Sequence, residues 1–189
     1  MAWNSASEIV IGGTGQVYVA AEGSTLPTTT TGAPAVAFVG LGYHTEEGLT
    51  LRSTPDVTDH RVWQSKQPAR REINAQDIQV AFELVQWDED SIPLAFGGGS
   101  ISGSAPDFRY NFPTDDDALD IRALVADVQD GSTHLRFVFP RVNVVETVEA
   151  TFNRTSMAGL PITCGVLAPE GGGSPGYILT DSAGLTAGS

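Results

Sequence analysis

Lysine occurs once in this sequence, at position 66, cysteine once, at position 164, and no basic residue precedes Arg52. Each shortage closes off a class of function. With ten basic side chains against 23 acidic ones and a formal charge of −13, the chain lacks the cationic surplus on which a sequence-independent grip on phosphates depends. One cysteine allows neither a disulfide framework nor a cysteine-based zinc site. Cys164 also lies in the apolar run Pro161 to Leu167, the setting of a buried structural thiol rather than of a nucleophile. No apolar run approaches the length of a membrane span. The start Met1-Ala2-Trp3-Asn4, with only Ile9-Val10-Ile11 behind it, has neither the cations nor the apolar length of a secretory signal. A soluble product made in the cytoplasm is expected.

What is present favours strands and turns. There are 21 glycines and 11 prolines in 189 residues, threonine and valine are frequent, and the length suits one domain. Period-two alternation is clearest from Asp77 to Trp87, where Ile78, Val80, Phe82 and Leu84 share one face and Asp77, Gln79 and Glu83 the other. A second alternating run, Leu119 to Val125, is followed across Asp130-Gly131 by Leu135, Phe137 and Phe139, which predicts a hairpin turning at that Asp-Gly step. Further strands are expected at 16–20, 49–53, 70–73, 109–112, 142–152, 162–168 and 177–180. One helix is expected within 88–97, capped by Asp88 or Ser91, with Pro93 harmless only under the second choice. Core residues are expected to include Ile78, Val80, Phe82, Leu84, Phe137 and Phe139.

The remaining segments read as appendages: an N-terminal arm over 1–8, a threonine-rich extended arm over 23–34, a loop over 54–69, and a flexible C-terminal segment over 169–189 around a core of 9–168. They either order against neighbouring subunits or stay as plain mobile loops. Five of the ten cations, Arg52, Arg61, Lys66, Arg70 and Arg71, fall in the stretch 52–71. That cluster is either a contact for an acidic surface of a neighbouring copy or a solvated loop with extended arginines.

Motifs for chemistry fail on context. Gly172-Gly173-Ser174-Pro175-Gly176 has the spacing of a nucleophile elbow, but proline follows the serine and His44, His60 and His134 all precede it. Gly12-Gly13-Thr14-Gly15 lacks the lysine of a phosphate loop and is expected to be a tight turn between two strands. Asp56, Asp59 and His60 read as a solvated loop rather than a metal site. Asp88-Glu89-Asp90 and Asp115-Asp116-Asp117 read as helix-start and turn residues, since nothing apolar separates their acidities. Asn153-Arg154-Thr155 fits a glycosylation sequon without any other sign of secretion. No catalytic residue, metal or cofactor is expected.

Ile11 to Ala20 before Leu26-Pro27, Phe38-Val39-Gly40-Leu41-Gly42-Tyr43, Glu46-Glu47-Gly48-Leu49-Thr50, Trp63-Gln64-Ser65 with Pro68 and Arg70, and Phe82 to Trp87 leading to Leu94-Ala95-Phe96-Gly97-Gly98 occur in an informative order. Over roughly residues 9 to 168 the chain resembles the major tail tube proteins of siphophages, particularly those infecting actinobacteria. The resemblance implies a mainly β fold of two packed antiparallel sheets with one short flanking helix, in a non-enzymatic virion protein. It further implies homo-hexameric rings stacked into the tail tube that conducts phage DNA into the host. The implied partners are copies of itself, the tape measure protein, tail terminator and tip proteins, and double-stranded DNA in transit without tight binding.

An anionic wall suits that passage, because it repels phosphates. Asp77, Gln79 and Glu83, or Asp120 and Arg122, are the candidates to face the lumen, and Arg61, Lys66, Arg70 and Arg71 the candidates for contact between subunits. Another β-rich virion part, a head–tail completion or capsid decoration protein, is the alternative within virions. A carbohydrate-binding sandwich would need an aromatic platform, and Trp3, Trp63 and Trp87 are scattered.

Overall fold

The computed structural model describes residues 9–114, 118–146 and 148–182. Along them run β1 (Thr14–Ala21), β2 (Val39–Gly40), β3 (His44–His60), β4 (Arg70–Leu84), α1 (Ser91–Ala95), β5 (Ser100–Ser104), β6 (Asp107–Asn111), β7 (Arg122–Asp130), β8 (Thr133–Val144), β9 (Leu160–Val166) and β10 (Tyr177–Thr180). Eight strands form one antiparallel sheet in the order β2-β1-β7-β8-β9-β4-β3, with β10 also paired to β8; β5 and β6 form a separate two-stranded sheet. The protein is mainly β, with two antiparallel sheets and one short helix.

The large sheet folds over on itself. Val17, Val19, Leu124 and Ala126 of β1 and β7 meet Val80, Phe82, Leu84, Leu160, Ile162 and Cys164 of β4 and β9 in one buried cluster. Burying each of the larger aliphatic chains contributes about 1.5–3 kcal/mol. The fold-over is assisted at β8, where one extra residue lies between the pairs Leu124↔Phe139 and Arg122↔Val142. Such a bulge bends and twists the strand, and it accommodates Pro140, whose missing N–H would interrupt a regular ladder. Of the expected core, Val80, Phe82, Leu84 and Phe139 are buried there, and Ile78 and Phe137 pack against it half-buried.

β7 is covered on both faces. Its Ala123 and Val125, with Val138 of β8, lie beneath Leu26 and Phe38 from the segment after β1 and beneath Tyr177 and Leu179 of β10. The strand expected over 177–180 forms as β10, paired to β8, where Tyr177 and Leu179 pack on that cluster. The arm 23–34 is likewise held by its own subunit: the Tyr177 hydroxyl donates to the carbonyl of Pro27 at 2.8 Å.

Other expectations shift in detail. The loop expected over 54–69 is shorter, since residues 54–60 continue β3 in register with β4 as far as His60↔Arg70. Pro55 does not interrupt the pairing, because β3 is the edge strand of the sheet, where proline is tolerated. The β7–β8 turn is made by Gly131 and Ser132, one residue later than Asp130-Gly131, with Asp130 paired to Thr133. Gly131 takes the positive φ of 56° that this turn requires. Residues 119–121 precede β7, and the strand expected over 142–152 ends at Val144.

Gly12 and Gly13 form no turn but lead straight into β1, Gly13 donating to the Gln129 carbonyl at 3.1 Å. The helix is confined to Ser91–Ala95 with Asp90, rather than Asp88 or Ser91, at its N-cap, so Pro93 still falls in its first turn and no backbone bond is lost. The Asp88 carboxylate receives the N–H groups of Asp90 and Ser91 at 3.2 and 2.8 Å. The arm 1–8, the acidic triplet Asp115-Asp116-Asp117 and the end of the C-terminal segment from 183 lie outside the described residues.

Candidate functional site

The hairpin of β3 and β4 is much longer than the body it leaves. β9 pairs with β4 only from Gln79 to Leu84, so residues 53–60 and 70–78 form a two-stranded ribbon with no third strand beside it among the described residues. Residues on paired positions share a face. Leu51 and Val80, Ser53 and Ile78, Pro55 and Gln76, then Val57 and Ile73 continue the core face outward; Arg52 and Gln79, Thr54 and Asp77, Thr58 and Glu72 make the opposite, polar face. An irregularity between Asp56 and Val57 keeps this alternation in step by inserting Asn74. Leu51, Val57 and Ile73 are exposed, so the apolar row of the core runs on into solvent.

The tip carries the cations singled out above. From Arg61 to Arg70 there are Arg61, Lys66 and Arg70 and no acid. Arg61 donates to the Lys66 carbonyl at 3.3 Å, which rounds the loop, and Trp63 stands fully exposed on it. Arg71 is instead paired across the ribbon with Asp59 at 2.8 Å, and its hydrogen bond holds the Asp59 carboxyl below its ordinary value. His60 lies 3.4 Å from Glu72. Adjacent residues on a strand point to opposite faces, so Asp59 and His60 cannot converge on one ion, and no group of three metal-ligating side chains occurs among the described residues.

The candidate lumen residues divide. Asp77 is exposed on the polar face of β4 and accepts from Gln79 Nε2 at 2.9 Å, while half-buried Glu83 shares that face and lies over Gly159. The layer around them carries Thr163, whose hydroxyl donates to Glu146 at 2.9 Å. Asp120 and Arg122 are bound to one another at 2.8 Å and are mostly shielded, so their charges compensate each other inside the subunit. Ser174, at the failed elbow, donates to the carbonyl of Gly176 in an exposed loop. Cys164 is buried, and burial pushes its thiol up to about 12, which leaves no thiolate to act as a nucleophile near neutral pH.

One residue escaped the sequence reading altogether. Arg136 is 2% exposed and uses its whole fork. Nε and Nη2 bind the Asp127 carboxylate at 2.6 and 2.7 Å, Nη1 binds the carbonyl of Thr29 at 2.9 Å, and Nη2 also binds that of Gly32 at 2.7 Å. The threonine-rich arm is thereby fastened to β8 through its backbone. The signal was available: Arg136 alternates with Leu135 and Phe137 in an otherwise apolar strand, and the hairpin register brings Asp127 opposite.

Among the described residues no set converges on a reacting atom; what stands open is a ribbon with an unfinished apolar face, a basic tip and an acidic remainder. A search of curated proteins finds no match. A family model described as phage tail tube protein, by contrast, matches residues 1–187, almost the whole length over which these features are distributed, and the chain belongs to that family of structural phage tail proteins.

Proposed function

We propose that the chain is the repeating subunit of a siphophage tail tube: six copies close into a ring, rings stack, and the bore conducts phage DNA. The observation that carries this reading is the ribbon. Its inner face continues the apolar row of the core beyond any partner the subunit supplies, and its two strands offer long unpaired edges, features that call for neighbouring copies. Closing six sets of strands into a barrel removes those edges. The outward face of β4, with Asp77, Gln79 and Glu83, faces the bore, where acids repel DNA phosphates and leave them no place to bind. Asp120 and Arg122 brace the subunit end beside that wall.

In this reading the protein performs no catalysis. It is made in the host cytoplasm, resides in the virion tail, and meets the tape measure, terminator and tip proteins as the tube is built. Negative-stain electron microscopy of the purified chain at high concentration tests it. Hollow rings or filaments on the order of 10 nm across, the scale of six small domains around a duplex-wide channel, are expected. A protein that stays monomeric at every concentration, or coats capsids instead, would sink the reading.

A further inference from the structure

A groove lies at the opposite end of β3 from the basic tip. It runs between the first part of β1, before the residues that pair with β2, with Gly12, Gly13 and Gly15 along it, and the start of β3, where Glu46, Glu47 and Leu49 form the other wall. Its volume is about 490 Å³, within the range of about 300–1,000 Å³ that holds drug-sized ligands. We propose that this groove is the socket for the ribbon tip of a second copy of this chain. The inference rests on the self-assembly reading above and names the acceptor surface that reading lacks.

Charge argues for the pairing. Glu46 and Glu47 are exposed and have no ion-pair partner among the described residues, and the tip offers Arg61, Lys66 and Arg70 without one acid between them. The lining argues for it as well. The groove is lined by both polar and apolar groups, Thr14, Gln16, Val17 and Val128 among them, and Trp63 is presented fully exposed on the tip with Val62 beside it. Tryptophan and arginine are the residues that most often anchor interfaces. The groove is also incompletely satisfied in the single subunit, since His44 Nε2 and Thr45 Oγ1 on its wall are buried without a partner.

Distance makes the contact intermolecular. Leu49 on the groove wall and His60 sit eleven positions apart along the part of β3 paired with β4, which at about 3.3 Å per residue separates them by roughly 36 Å. The ribbon cannot fold back to its own groove without breaking its ladder. A tip-to-groove contact joins two different surfaces, so unless two copies exchange tips reciprocally, repeating it propagates a ring or a filament.

Complementary charge reversal tests the socket. A chain carrying Glu46→Lys and Glu47→Lys has a basic groove and a basic tip; one carrying Arg61→Glu and Lys66→Glu has both acidic. Each alone is expected to lose sedimentable polymer while keeping the wild-type circular dichroism spectrum, and an equimolar mixture is expected to regain it, because every tip then meets an opposite groove. Trp63→Ala, which changes no charge, is expected to weaken assembly of the otherwise native chain. Polymer from either reversed chain alone, or no rescue on mixing, overturns the socket while leaving the self-assembly reading intact. A wild-type chain that never polymerises removes both.

Discussion

Two kinds of charged pair at the residue scale show how location sets worth. Arg71 and Asp59 meet in the open on the ribbon, where water and salt screen them and the pair adds little to stability. Arg136 and Asp127 meet against the sheet with the arginine almost wholly enclosed, where losing one partner strands the other. Cys164 is a third case, a titratable group that burial has taken out of play. With its thiol raised to about 12, its reaction with a thiol-specific reagent at pH 8 is expected to proceed only through opening of the fold. The labelling rate should rise in step with unfolding as denaturant is added; rapid labelling of the native protein would contradict the burial.

At the scale of elements, the arm over 23–34 depends on that one buried arginine. Arg136→Met keeps the bulk of the side chain and removes every donor to Asp127, Thr29 and Gly32. A loss on the order of 3–5 kcal/mol is expected, as for other broken buried pairs, together with faster proteolytic cleavage within 23–34 than elsewhere. Cleavage unchanged from wild type would mean that Leu26 and the Tyr177 bond hold the arm by themselves.

This arm also marks where reading by pattern ran out. The strand 77–84 was legible because one buried face imposes a period of two, and the β7–β8 hairpin because a glycine-bearing turn separates two apolar runs. The arm has no period, being fastened through carbonyls that every sequence possesses. Residues 54–60 were misread for a related reason: on a ribbon open to solvent on both sides, Thr54-Pro55-Asp56 needs no apolar alternation to be a strand. The cations of the tip were visible from charge clustering alone, but their acceptor groove is assembled from backbone approach and distant segments, which no local pattern encodes.

For the whole molecule, the acidic excess and the long ribbon make separate demands, one on what passes by and one on what docks. Reversing Asp77 and Glu83 to lysine places cations on the polar face of β4 without touching Val80, Phe82 or Leu84. Tubes are expected to form normally, and DNA release from virions carrying the variant, followed by fluorescence of an intercalating dye, is expected to slow as phosphates linger on the wall. Loss of tubes instead would assign that face to a subunit contact.

The pairing of β3 with β4 gives the ribbon one further property: it is a ruler graduated in residue pairs. Removing one residue from each strand would shorten it by about 3.3 Å but turn everything beyond the cut onto the opposite face. Removing two from each would shorten it by about 6.6 Å and leave Val57, Ile73 and the cations of the tip facing as before. Lengths that preserve the faces therefore come in discrete steps, and any spacing between molecules that the ribbon sets can change only by those steps.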